Sequence, residues 1–159
     1  MHPTHNTLSE NIRTQSVAVL NRQLAAAIDL HGQIKQAHWN VRGPGFIAIH
    51  KLFDKAADTA LDASDLIAER AAGLGGTAEG TVQVASAKSY LVPYALGVAD
   101  EAKHIFAVSA ALAAFGQSIR EAATVATAQG DGTTADLFTE ISRGIDPQLW
   151  FVESHRTPA

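Results

Sequence analysis

Four side chains of the second predicted helix have the types and spacing to hold a transition metal. His50 and Asp54 lie one helical turn apart, and Asp65 and Glu69 repeat that spacing further on. On a helical wheel at about 100° per residue, these four fall in a polar stripe about 100° wide, roughly 150° away from an apolar one. The apolar stripe is Ile49, Phe53, Ala56, Ala60, Ala63, Ile67 and Leu74, the face that should meet a core. Asp58 lies inside the polar stripe and Asp62 at its edge, so spacing alone favours a solvated acidic face carrying one histidine. Imidazole with carboxylates and no sulfur suits iron, manganese or zinc.

The two pairs are separated by about 11 residues, or roughly 16 Å of helix rise, too far to meet at one metal centre on a straight helix. The position pairs 50/69 and 54/65 share one midpoint, between Thr59 and Ala60. An antiparallel copy of the helix crossed at that point sets each pair against the other, and a two-fold dimer then builds two identical sites. Upstream, the first predicted helix ends in His38-Trp39-Asn40-Val41-Arg42-Gly43, a histidine and a large amphipathic aromatic beside a tight turn.

The elements that must position these groups are four long helical stretches separated by glycine-rich breaks, an all-α class. A capping box at Thr7–Glu10 predicts a first helix with Val17, Leu20, Leu24, Ile28 and Ile34 at helical spacing, stopped by Arg42-Gly43-Pro44-Gly45. The others are expected over about 46–74, 97–129 and 133–153. The last carries Leu137, Ile141, Ile145, Leu149 and Val152 on one face, with a kink or break at Gly144 and Pro147. Residues 77–96 exceed a tight turn and predict a crossover or small extra helix. At 159 residues the chain suits one domain, 1–159, with 1–7 as a flexible tail. Its 47% hydrophobic and 18% charged residues exclude a disordered chain. The absence of cysteine excludes disulfides, thiolate metal sites and thiol catalysis. A net charge of -4 offers no general attraction to nucleic acid. No apolar run reaches a membrane span's length, and MHPTHNTLSE lacks the pattern of a signal peptide, so a cytoplasmic protein is expected.

Three segments, KQAHWNVRGPGFIAIHKLFD (35–54), LDASDLIAERAAGLGG (61–76) and LWFVES (149–154), carry a specific pattern. Two histidines stand 12 apart, an aspartate follows four later, another 11 beyond it, and a glutamate four after that. In this, over nearly its whole length, the sequence resembles the Dps proteins (DNA-binding proteins from starved cells), the mini-ferritins of bacteria. The resemblance implies a ferritin-like four-helix bundle with a long connection, containing a short extra helix, between the second and third bundle helices. It implies that His38, His50 and Asp54 are ligands from one subunit, and Asp65 and Glu69 ligands from its two-fold partner, with Glu69 bridging two irons. The implied activity is oxidation of Fe(II) to Fe(III), with hydrogen peroxide preferred, and storage of a ferric mineral inside a homododecamer. Trp39 resembles a family tryptophan beside this site that could trap a stray oxidising equivalent, while packing at a dimer interface is its other role. Asp131, Asp136 and Glu140 resemble an acidic ring lining a three-fold pore that admits iron, although acids at a helix start also complement its dipole.

The sequence departs from lysine-tailed members of the family, because residues 1–12 contain no Lys or Arg. DNA binding is therefore expected to be weak or absent near neutral pH, with His2 and His5 adding charge only on acidification. Two other readings remain: a nucleoid-compacting protein whose metal site is secondary, and a helical assembly binding zinc or manganese without redox turnover. Glu101-Ala102-Lys103-His104 has the Glu-x-x-His spacing of di-iron bundles, but only once, so satisfied surface residues are expected there. His31, near the apolar face of the first helix, is expected to be hydrogen-bonded in the core or an interface, and His155 has no ligand partner at suitable spacing.

Overall fold

The apolar stripes become the interior of an all-α bundle. In a computed structural model, whose described residues are 1–156, the chain forms α1 (Glu10–Asn40), α2 (Phe46–Gly73), α3 (Val82–Lys88), α4 (Glu101–Ala128) and α5 (Gly132–Glu153). Residues 157–159, which the sequence reading includes in the domain, lie outside the described ones. α1 and α2 make one hairpin and α4 and α5 a second, with α1 also against α4, α2 against α5, and the short α3 on α1. The chain between α2 and α4 returns along the bundle to the corner joining α1 to α2, where the Arg42 amide donates to the Ala99 carbonyl at 2.8 Å. α4 therefore starts at the end where α2 starts, and the long connection is a crossover.

All seven residues of the predicted α2 stripe are buried. They meet Leu20, Leu24 and Ile34 of α1, Leu112 and Phe115 of α4, and Phe138, Ile141 and Ile145 of α5. Burying one such aliphatic or aromatic side chain contributes about 1.5–3 kcal/mol, which makes this continuous core the main source of stability. Val17, Ile28, Leu137 and Leu149 pack against the core only in part.

Several boundaries differ from expectation. α1 is capped by Ser9, whose hydroxyl accepts from the Ile12 amide, rather than from Thr7. Residues 4–8 instead form their own turn, in which the Asn6 side chain accepts from the Leu8 amide at 3.0 Å. α4 starts at Glu101 rather than near residue 97, because Asp100 caps it by accepting from the Lys103 amide. α5 continues through Gly144 and Pro147 without a break. Ile145, Gln148 and Val152 are buried on both sides of the proline, so core packing outweighs the lost backbone hydrogen bond. Within 1–7, the segment expected as a flexible tail, the His2 amide donates to the Gly75 carbonyl just beyond α2, and beside it the Arg13 guanidinium of α1 donates to Leu74. Among the described residues, no helix is long and apolar enough to cross a membrane.

Candidate metal centre

His38 occupies the last turn of α1 and His50 the second turn of α2, and the five-residue corner between these helices brings their rings together. The rings stack with centroids 3.7 Å apart and planes 20° apart. Each Nδ1 lies 2.8 Å from the other residue's backbone carbonyl oxygen. A carbonyl can only accept, so both Nδ1 atoms carry the proton and both Nε2 atoms keep a lone pair for a metal. The reciprocal bonds also fix both ring orientations before any ion arrives. The Phe46 ring, 5.1 Å from that of His50, closes another side.

Asp54 lies one turn beyond His50, with Oδ1 3.8 Å from His38 Nε2 and 2.6 Å from Lys35 Nζ. The hydrogen bond from Lys35 is the main reason its carboxyl lies below the ordinary aspartate range; burial opposes this, and the Lys35 charge reinforces it, as do the two imidazoles when protonated. Lys35 is the functional neighbour that sequence reasoning missed. The available signal was its position three residues before His38, on the same helical face. It also stands 5.8 Å from the centre of the Trp39 ring, which is 66% exposed at the rim of the group.

The structure thus brings His38, His50 and Asp54 together and leaves Asp65 and Glu69 exposed further along α2. Among the described residues, no three His, Asp or Glu side chains converge closely enough to hold a metal ion within one chain. Both half-groups are flanked by exposed apolar side chains: Trp39, Phe46 and Ile47 near the histidines, and Leu61 and Leu66 near the carboxylates.

The three acids read as pore-lining residues are not equivalent. Asp136 and Glu140 are exposed on α5, whereas Asp131 is 1% exposed. Its carboxylate accepts from the Thr134 amide at 3.0 Å, the Thr134 hydroxyl at 2.6 Å and the Arg70 guanidinium at 2.8 Å. Burial pushes the Asp131 carboxyl up, but these donors outweigh it and leave the group below the usual range. It is committed to tying α5 to α2 and does not face solvent beside the other two.

His104 is also corrected: it is 1% exposed rather than on the surface. Its Nδ1 lies 2.6 Å from the Tyr94 hydroxyl and its Nε2 3.0 Å from the Val98 carbonyl. His31 meets its expectation, donating from Nδ1 to Ala57 and tying α1 to α2. The His155 ring donates from Nδ1 to the carbonyl one turn back, at Phe151.

Residues 17–157 match the family described as Ferritin-like domain. The chain is 40% identical to a DNA protection during starvation protein from Agrobacterium fabrum, covering 97% of this chain and 95% of that one. The solved structure of DpsA14 from Streptomyces coelicolor superposes with a TM-score of 0.91 at 33% identity, covering 98% of this chain and 92% of the other. Dps from Microbacterium arborescens, solved in a high iron form, gives 0.87 at 31% identity over 94% and 97%.

Proposed function

The chain belongs to the Dps family of ferritin-like proteins, and from that membership we propose that it oxidises ferrous iron with hydrogen peroxide at sites shared between two subunits and stores the ferric product. The observation that carries this reading is the reciprocal bonding of His38 and His50, which leaves both Nε2 lone pairs free next to Asp54. Half a site is present and oriented, and Asp65 and Glu69 supply the ligand types it lacks.

Iron is the substrate here. Neutral imidazoles give directional bonds to Fe(II), while hard carboxylates favour the Fe(III) product, so the mixed set both binds iron and lowers the cost of its oxidation. In the proposed dimer, His38, His50 and Asp54 of one subunit face Asp65 and Glu69 of its two-fold mate, and Glu69 bridges two irons. Two Fe(II) ions give one electron each to hydrogen peroxide, which takes up two protons and leaves as two waters. The paired transfer avoids the hydroxyl radical that a one-electron reduction would release. Trp39 stands at the rim to intercept a stray oxidant, and the ferric product collects in a shell of twelve subunits that iron enters past Asp136 and Glu140. The same reading puts the protein in the cytoplasm.

The test is anaerobic titration with Fe(II), then addition of peroxide in the presence of a spin trap. Binding should be stoichiometric with the sites and abolished by His50→Ala, and oxidation should be fast with little trapped radical. Oxidation no faster than that of iron in buffer would overturn the proposal, as would abundant radical. Binding without oxidation would favour the zinc or manganese alternative.

A further inference from the structure

Glu101 stands at the start of α4, far in sequence from both histidines, yet its side chain closes the corner that joins them. The residue that precedes α2 in the cap position is Gly45, which has no side chain to cap the helix. The Glu101 carboxylate fills that role: Oε2 accepts from the Gly45 amide at 3.0 Å and places a negative charge at the start of α2, where free N–H groups and the helix dipole favour it. The fit depends on two glycines. A Cβ at Gly43 would overlap the Glu101 carboxylate, and one at Gly45 would lie 3.3 Å from Oε2 and 3.0 Å from Ile49 Cδ1. Next to this contact, Arg42 donates to Ala99, and His104 of the same α4 turn binds the Val98 carbonyl. The Glu-x-x-His motif is therefore a bolt on the 41–45 corner. His38 precedes that corner and His50 follows it, and their reciprocal bonds require the ends of α1 and α2 to hold one register.

We propose that Glu101 is a positioning residue for the metal centre: it acts through Gly45 and the 41–45 corner to keep the His38 and His50 rings in their ligating orientation. It touches neither metal ligand, and the inference rests on the ferroxidase reading above. Without its carboxylate, the first turn of α2 loses its acceptor and the corner can shift relative to α4. The histidine pair then has to be ordered by the incoming iron, which weakens binding. Glutamine keeps an acceptor oxygen at the same reach, so Glu101→Gln should preserve most of the effect, whereas Glu101→Ala should not. Gly43→Ala should imitate Glu101→Ala by pushing the carboxylate away from Gly45.

Two measurements on the full-length assembled protein test this. Amide hydrogen exchange across 41–50, in metal-free protein, reads the corner directly; anaerobic Fe(II) titration reads the site. In Glu101→Ala and Gly43→Ala, exchange at 41–50 should quicken and Fe(II) affinity fall about tenfold, the lower end for groups that orient metal-binding histidines. Glu101→Gln should stay within about threefold of the parent, as expected if the acceptor rather than the charge carries most of the effect. Unchanged exchange in both variants overturns the proposal, and so does faster exchange with parental Fe(II) affinity, which would make Glu101 a stabilising residue only. If parental protein binds no iron that His50→Ala abolishes, the ferroxidase reading fails. The exchange data would then still decide whether Glu101 holds the corner.

Discussion

At Asp54, Lys35 and an incoming iron compete for one carboxylate. The Lys35 ammonium already sits 2.6 Å from Oδ1, so iron must either use the other oxygen or displace the ammonium. Asp54 is half exposed, so solvent screens the pair and the competition is weak. Lys35→Met keeps the apolar stem against Trp39 and removes the competing charge. Fe(II) should then bind more tightly, by up to about fivefold, in anaerobic calorimetry. Weaker binding in this variant would show that the ammonium supports the site instead of competing for it.

Two buried polar groups tie one element of the fold to another. Asp131 caps α5 and pairs with Arg70 of α2, so Asp131→Ala removes the cap and strands a largely buried guanidinium. A loss of about 3 kcal/mol is expected, read as a lower Tm or denaturation midpoint. Full stability with altered iron uptake would return Asp131 to the pore. His104 ties α4 to the preceding segment, and both ring nitrogens are engaged. Nε2–H donates to Val98, while Nδ1 accepts from the Tyr94 hydroxyl, which burial keeps protonated by raising its pKa to about 12. Burial also pushes His104 below its ordinary 6.5, against the opposing effects of the Val98 carbonyl, the Asp100 carboxylate and the Asn40 backbone. A histidine whose folded pKa is depressed contributes stability that is complete above its unfolded value and lost as pH falls through the folded one. Thermal scans should therefore show Tm falling on acidification below about pH 6.5. In His104→Gln that slope should be shallower, with Tm at neutral pH already reduced. An identical slope in the variant would assign the acid lability to other groups.

Across the whole assembly, the proposed site is divided between chains, which makes it open to complementation. His38→Ala with His50→Ala empties one half, and Asp65→Ala with Glu69→Ala empties the other; each homo-oligomer should oxidise iron poorly. A mixed two-fold dimer has one site built from both defective halves and one built from both intact halves. Co-assembled shells, with mixed dimers verified by mass spectrometry, should recover a clear fraction of the parental rate. No recovery would overturn the shared-site proposal. The exposed Trp39, Phe46, Ile47, Leu61 and Leu66 give the dimer a physical driving force, since covering them removes apolar surface from water on both sides of the proposed contact.

Much of this protein could be read from local pattern. Helical periodicity identified the centre of the buried face from Ile49 to Leu74, because a repeat of about 3.6 residues defines a face whatever packs against it, but it left out Ala57, Ser64 and Ala71, which are buried as well. The spacing of His50, Asp54, Asp65 and Glu69 suggested the metal-binding chemistry and the two-fold division proposed above. Burial of polar residues was not legible in the same way. Asp131 and His104 look like surface groups in their own segments, and their burial becomes affordable only with partners outside the local pattern: Arg70 of α2 for Asp131, and Tyr94 and Val98 of the connection before α4 for His104. The first helix cap and the unbroken α5 were decided by competition as well: a local turn at residues 4–8 displaced the predicted cap, and core contacts outweighed the proline. Tertiary structure alone set the tautomers of His38 and His50, the charge beside Asp54 and the carboxylate at the start of α2. Each depends on atoms of different helices placed within about 3 Å of one another by the packing, a distance at which hydrogen bonding decides which atom can bind a metal.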